Sequence, residues 1–185
     1  MEYIGYILLF FIVLSTLLKA GFYRWWGILL LAAGYALFTL LAGDWAVEQS
    51  KTALSAGLLS RPVQLNASVF ITCEAIIMIA FCFDCFKEMR TRNTFFKQAV
   101  SLLLYLYPGL LFAIPVCYTL LQAFFARPGT DFKLITQIAA LAVFLSLAGG
   151  ARLLRRLLKK KGLRYEMLFI VNLFIIILGI LVTGN

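Results

Sequence analysis

The chain has 185 residues, 63% of them hydrophobic, with a formal charge of +9 and a mean hydropathy of +0.97. Soluble domains are just under half apolar, so this chain carries too little polar residue to coat a globule in water. It contains no His, which removes the usual neutral-pH proton shuttle and the commonest metal ligand.

Six apolar runs stand out, at about 4–20, 26–43, 67–86, 99–125, 133–151 and 166–182. Each is long enough to cross ~30 Å of hydrocarbon at ~1.5 Å per residue. Backbone groups in lipid must be satisfied within their own segment, so the runs are expected to be helices. The expected fold is an all-α integral membrane protein, a six-transmembrane-helix bundle forming one polytopic domain over residues 1–185.

The first run opens MEYIGYILLF, with Glu2 where a signal peptide would carry Lys or Arg and no A-x-A site after it. It reads as a mature membrane helix. Tyr23, Trp25 and Trp26 flank the first two runs as an aromatic belt. The connection from Asp44 to Asn66 is the one sizeable outer loop. Asp44 reads as an N-cap there, Glu48 and Lys51 steady a short helix, Trp45 sits at the interface, and Arg61-Pro62 ends it. It reads as a surface connector or as a docking site for an extracytoplasmic partner. The N-A-S triplet at Asn66 has the pattern of a glycosylation acceptor but abuts the third run.

The third run, Ala67 to Phe86, carries Glu74 well inside it. An ionised carboxylate at that depth costs about 3 kcal/mol even on the lenient insertion scale. Such a group is protonated, paired or used. One reading is a proton-binding or ion-coupling carboxylate in a desolvated site. Another is a structural bond to a neighbouring helix through Gln137, Thr136, Thr119 or Asn172, and a partner subunit supplying the counter-charge is a third. At helical spacing Phe70, Met78, Phe81 and Cys85 share the face of Glu74, while Asp84 lies off it. Cys82 and Cys85 have C-x-x-C spacing without a thioredoxin-like context, and with Cys73 and Cys117 they read as small buried hydrophobes.

The fourth run contains Pro108-Gly109 and Pro115, so a long kinked helix is expected. Freed carbonyls at such a kink either serve packing or line a solute site. No matching break occurs in the first run, which counts against an inverted-repeat transporter. Between the fourth and fifth runs, Asp131 with Arg127 and Lys133 is expected to solvate a turn punctuated by Pro128-Gly129. After the fifth run Arg152, Arg155, Arg156, Lys159, Lys160 and Lys161 face anionic headgroups, with Leu153, Leu154, Leu157 and Leu158 opposite. This helix is expected to continue along the inner surface as far as Gly162.

Thirteen of the 17 basic residues fall in alternate connections, from Lys19 to Arg24, Lys87 to Lys97 and Arg152 to Arg164. The opposite side holds only Lys51, Arg61, Arg127 and Lys133. The positive-inside rule then places both termini outside, in a bacterial inner membrane. Topology and an anionic inner leaflet account for the charge, so nucleic acid is not an expected partner. The chain lacks HExxH, G-x-S-x-G and P-loop motifs, and its eight carboxylates are scattered, so no enzyme, metal or cofactor is expected. Two functional classes fit. The first is a non-catalytic accessory subunit of a larger membrane complex, such as a proton-driven motor, with membrane protein partners. The second is a small solute transporter using Glu74 and the kinked fourth helix.

Overall fold

A computed structural model describes residues 2–47, 61–87, 95–126 and 131–183. Within them the chain forms α1 (Glu2–Ala20), α2 (Trp25–Val47), α3 (Arg61–Lys87), α4 (Phe95–Leu106), a 3-10 turn (Leu110–Phe112), α5 (Ala113–Ala126), α6 (Phe132–Leu157) and α7 (Lys161–Thr183). Six helical stretches are long and apolar enough to cross a membrane, with α4, the 3-10 turn and α5 making up the fourth. No strand occurs among the described residues.

The polarity of the molecule is inverted relative to a soluble protein. Large apolar side chains such as Leu30 (74% exposed) and Leu103 (68%) cover the outside, while Ser15, Thr16, Lys19, Thr39, Glu74, Arg164 and Asn172 are buried. Helices that gain nothing by hiding leucine from lipid associate through close backbone approach and interhelical hydrogen bonds. Both devices are present. A Cβ on Gly43 of α2 would meet Thr136 of α6 at 2.5 Å, and Ser68 of α3 donates to the Gly179 carbonyl of α7 at 3.0 Å.

The helices divide into two layers around α1. On one side α7 packs on both α3 and α1, and the three enclose Ile12, Leu18, Ile71, Phe81, Cys82, Leu168 and Ile175. On the other, α2 packs on α6 and α5, enclosing Ala32, Tyr35, Phe112, Val116 and Leu147. The fourth span belongs to both layers. Its first half, α4, packs on α3, whereas its second half, α5, packs on α2 and α6. Adjacent residues of the 3-10 turn show the crossing, because Leu111 joins the α1–α3–α7 core and Phe112 joins the α2–α5–α6 core.

Several helix ends differ from the expected ones. Asp44 lies within the last turn of α2 instead of at a helix N-terminus, and Arg61 and Pro62 are the first residues of α3. A proline is tolerated in the first turn because its missing N–H has no intrahelical partner there. Asn66 therefore sits on a helix, and Glu48 and Lys51 lie outside the described residues. Asp131 does more than solvate a turn: it is the N-cap of α6, its side chain accepting from the Lys133 amide at 3.1 Å. Arg127, Pro128 and Gly129 lie outside the described residues. Helix α6 does not continue to Gly162. It stops at Leu157, and Leu158 turns inward against the α1–α3–α7 core together with Leu154 and Tyr165. Gly162 is the second residue of α7. Burial of Leu158 wins over extending a surface helix whose next three residues are all lysine.

Candidate functional site

The fourth span is a broken helix, not a kinked one, and the break interrupts its i→i−4 backbone hydrogen bonds. Pro108 has no N–H for the Leu104 carbonyl four residues earlier. Gly109 adopts φ +86°, in the left-handed region that favours glycine, and the path then diverges from the helix axis. The Leu111 amide consequently does not reach the Tyr107 carbonyl, and the Ala113 amide bonds the Leu110 carbonyl instead of Gly109's. An unpaired backbone group in an apolar interior costs several kcal/mol, so every one of these needs a substitute.

Four side chains supply them. Lys19 Nζ donates to the Leu104 carbonyl at 2.9 Å, and Tyr23 Oη donates to the Tyr107 carbonyl at 3.1 Å. Tyr35 Oη donates to the Gly109 carbonyl, and the Leu111 N–H donates to Glu74 Oε1 at 2.8 Å. They come from α1, the α1–α2 turn, α2 and α3, so four separate segments hold the break. Charge follows the helix dipoles: the cation Lys19 meets carbonyls at the end of α4, and the carboxylate Glu74 meets an amide at the start of the second half. Lys19 is also placed with Nζ 3.0 Å from the centre of the Phe81 ring. Burial, with Tyr105 alongside, raises the Tyr23 phenol above its ordinary value, which keeps it a hydrogen donor.

Glu74 is 4% exposed. Its second oxygen, Oε2, is buried with no hydrogen-bond partner. Glu74 lines a narrow cavity of about 10 Å³, which Ser15, Thr16 and Asn172 share with apolar side chains such as Ile12 and Met78. The hydroxyl hydrogens of Ser15 and Thr16, and one of the two amide hydrogens of Asn172, are directed elsewhere. Ser15 donates to Asn172 Oδ1 at 3.1 Å, Thr16 to the Ile12 carbonyl at 3.0 Å, and Asn172 Nδ2 to the Leu168 carbonyl at 2.7 Å. What the two hydroxyls leave towards Glu74 is oxygen lone pairs. Such surroundings suit a proton on Oε2 that is donated to one of them. The Tyr107 phenol comes close enough to the same carboxylate to donate to it, and the Tyr35 phenol is in electrostatic reach.

Of the side-chain partners expected for Glu74, only Asn172 lies at the cavity. Thr119 donates to the carbonyls of Pro115 and Val116, Thr136 donates to Phe132, and Gln137 is exposed. The principal partner is a backbone amide, which a search among polar side chains does not consider. Met78 and Phe81 are buried beside Glu74 on α3, but Phe70 is exposed. Pro108 and Gly109 form the break, and Pro115 falls in the first turn of α5, where it bends nothing. The four cysteines are free, with Cys82 buried and Cys73 exposed.

Two cations counted as loop residues are internal. Lys19 is at the break, and Arg164 of α7 is buried, its Nη1 donating to the Gly21 carbonyl at 2.7 Å as a cap for the end of α1. The basic residues expected to face headgroups are exposed. Arg152 lies 3.4 Å over the Trp25 ring, and Arg155, Arg156 and Lys159 line the same cleft, with Lys160 and Lys161 beyond it. Tyr35 and Lys19 were missed as site residues although Pro108-Gly109 inside an apolar run demands donors at its depth. Compared with protein families, curated proteins and solved structures, the chain matches none.

Proposed function

We propose that this chain is a non-catalytic, multi-pass subunit of a proton-driven membrane complex, and that Glu74 is its proton-binding carboxylate. The observation that carries this reading is the divided role of one side chain. Oε1 holds the amide that restarts the broken span, while Oε2 is buried without a hydrogen-bond partner in a residue that lines a small cavity. A hydrogen bond to an ionised carboxylate is about twice as strong as one to its neutral form. Proton uptake on Oε2 therefore loosens the hold of Oε1 on Leu111, and the break reads the protonation state of Glu74. The two halves of the span pack on different layers, so a change at the break is passed to both.

The basic cleft of Arg152, Arg155, Arg156 and Lys159 supports placing the α1–α2 and α6–α7 turns at the anionic inner leaflet of a bacterial plasma membrane, with both termini outside. Membrane protein partners then cover part of the exposed apolar surface.

The test is Glu74→Gln in the native host, scored for membrane level and phenotype, with infrared spectroscopy of the purified chain. A carboxylic-acid carbonyl band that titrates with pH and vanishes in Glu74→Gln supports proton binding. An unchanged phenotype at normal membrane level, or no such band, removes it. A solute carrier is the second reading, favoured by the meeting of Glu74 with the broken span. Purification in mild detergent separates the two: a stoichiometric protein partner supports the subunit, and a lone chain with a bound small molecule supports the carrier.

A further inference from the structure

Between α2 and the broken span runs an apolar groove of about 620 Å³, within the size range of ligand sites. Leu30, Gly34 and Phe38 form one wall, and Leu106, Leu110 and Ala113 form the other. Tyr23 and Arg24 stand at one end, and Arg24 is the charged residue among those lining it. From Arg24 to Phe38 is 14 residues of helix, about 21 Å, which exceeds half of a ~30 Å hydrocarbon layer. The groove is thus a long apolar strip with one cation at its end, the pattern of a hydrocarbon chain below a charged headgroup.

We infer that this groove binds one acidic glycerophospholipid, with an acyl chain along α2 and the phosphate at Arg24. The charge pattern favours an acidic headgroup. On the other flank of Trp25, the cleft of Arg152, Arg155, Arg156 and Lys159 keeps the same end of the molecule strongly positive. The bound chain touches Pro108 and Leu110, and Tyr35 of the groove wall is a donor to Gly109. Lipid occupancy is thus coupled to the break itself. The inference rests on the chain lying in a bilayer, but not on proton binding at Glu74.

Gly34 provides the test, because a Cβ added there meets nothing within 4 Å, so a larger side chain fills the groove without disturbing a neighbour. Gly149 of α6 is equally open and lies outside the groove, which makes Gly149→Leu the control. The full chain is reconstituted in bilayers of equal phosphatidylglycerol and phosphatidylcholine, then released into a native mass spectrometer. Wild type and Gly149→Leu are expected to retain one phosphatidylglycerol in preference to phosphatidylcholine, and Gly34→Leu to lose it. Arg24→Gln is expected to lower the preference about fivefold, the effect of one cation at an anionic surface. Ala113→Phe fills the groove from the opposite wall if Gly34→Leu does not accumulate. Equal retention of the two lipids by wild type overturns the inference. So does an undiminished adduct in a groove-filling variant, or a second protein leaving the groove when Gly34 is enlarged. Failure of Gly149→Leu to reconstitute counts against the bilayer reading instead.

Discussion

Replacing Tyr35 by Phe removes one hydroxyl and leaves the ring. The hydroxyl is a second donor to the Gly109 carbonyl, beside the Phe112 amide of the 3-10 turn, and Tyr35 is buried. The ring meets Phe112 edge-on at 4.9 Å, a contact that Phe preserves, so the packing contribution is unchanged. What remains is the loss of a donor to a buried carbonyl. That costs about 1–3 kcal/mol in soluble proteins, and single interhelical bonds in membranes are worth about 0.6–2 kcal/mol. Tyr35→Phe should therefore destabilise the chain by about 1–2 kcal/mol, lowering the midpoint of thermal unfolding by about 3–6 °C for a chain of this size. The comparison is Tyr105→Phe, whose hydroxyl makes a long 3.4 Å contact with the Phe22 carbonyl at an exposed position. That variant should stay within ~0.5 kcal/mol of wild type. Both are measured by thermal unfolding in the same mild detergent. Equal stability of Tyr35→Phe and wild type, or an equal cost for the two variants, would refute the view that side chains stand in for the lost helix bonds.

Lys19→Met should be less damaging by about 1 kcal/mol in a Pro108→Ala background, where residue 108 regains an N–H for Leu104, and a double-mutant cycle on unfolding reads this coupling. Gly109→Ala should cost at least about 2 kcal/mol, from its positive φ and a 2.7 Å approach to Met78 Cε; Gly34→Ala, in open space, should be neutral or slightly stabilising by the same unfolding assay. Gly43→Ala should weaken the α2–α6 contact by about 1–3 kcal/mol, and Thr136→Ala in the same chain should recover most of that loss because it removes the two closest atoms.

How the sequence and the structure divide the information is clearest at the fourth span. Pro108-Gly109 shows in the sequence that the helix cannot continue unperturbed, and Glu74 shows that a polar group needs accommodation at similar depth. Neither residue indicates that the two needs are met by each other. Glu74 bonds a backbone amide, and amides carry no sequence signature. Lys19 and Arg164 look like loop cations because their neighbours in the chain are turn residues, yet both turn inward to take carbonyls at helix ends. Pro115 looks identical to Pro108 in sequence, and only its place in the first turn of α5 makes it harmless.

Composition and the spacing of apolar residues were sufficient to determine six helices of spanning length, because a local pattern of that kind has one solution when backbone bonds must close internally. The tertiary structure alone decided which helices touch, that the fourth span crosses from one layer to the other, and which side chains meet at its break. Those outcomes depend on contacts between residues far apart in the chain, as with Ser15 and Asn172, 157 positions apart, and the free energy of such contacts comes from three-dimensional packing and not from any local run of sequence.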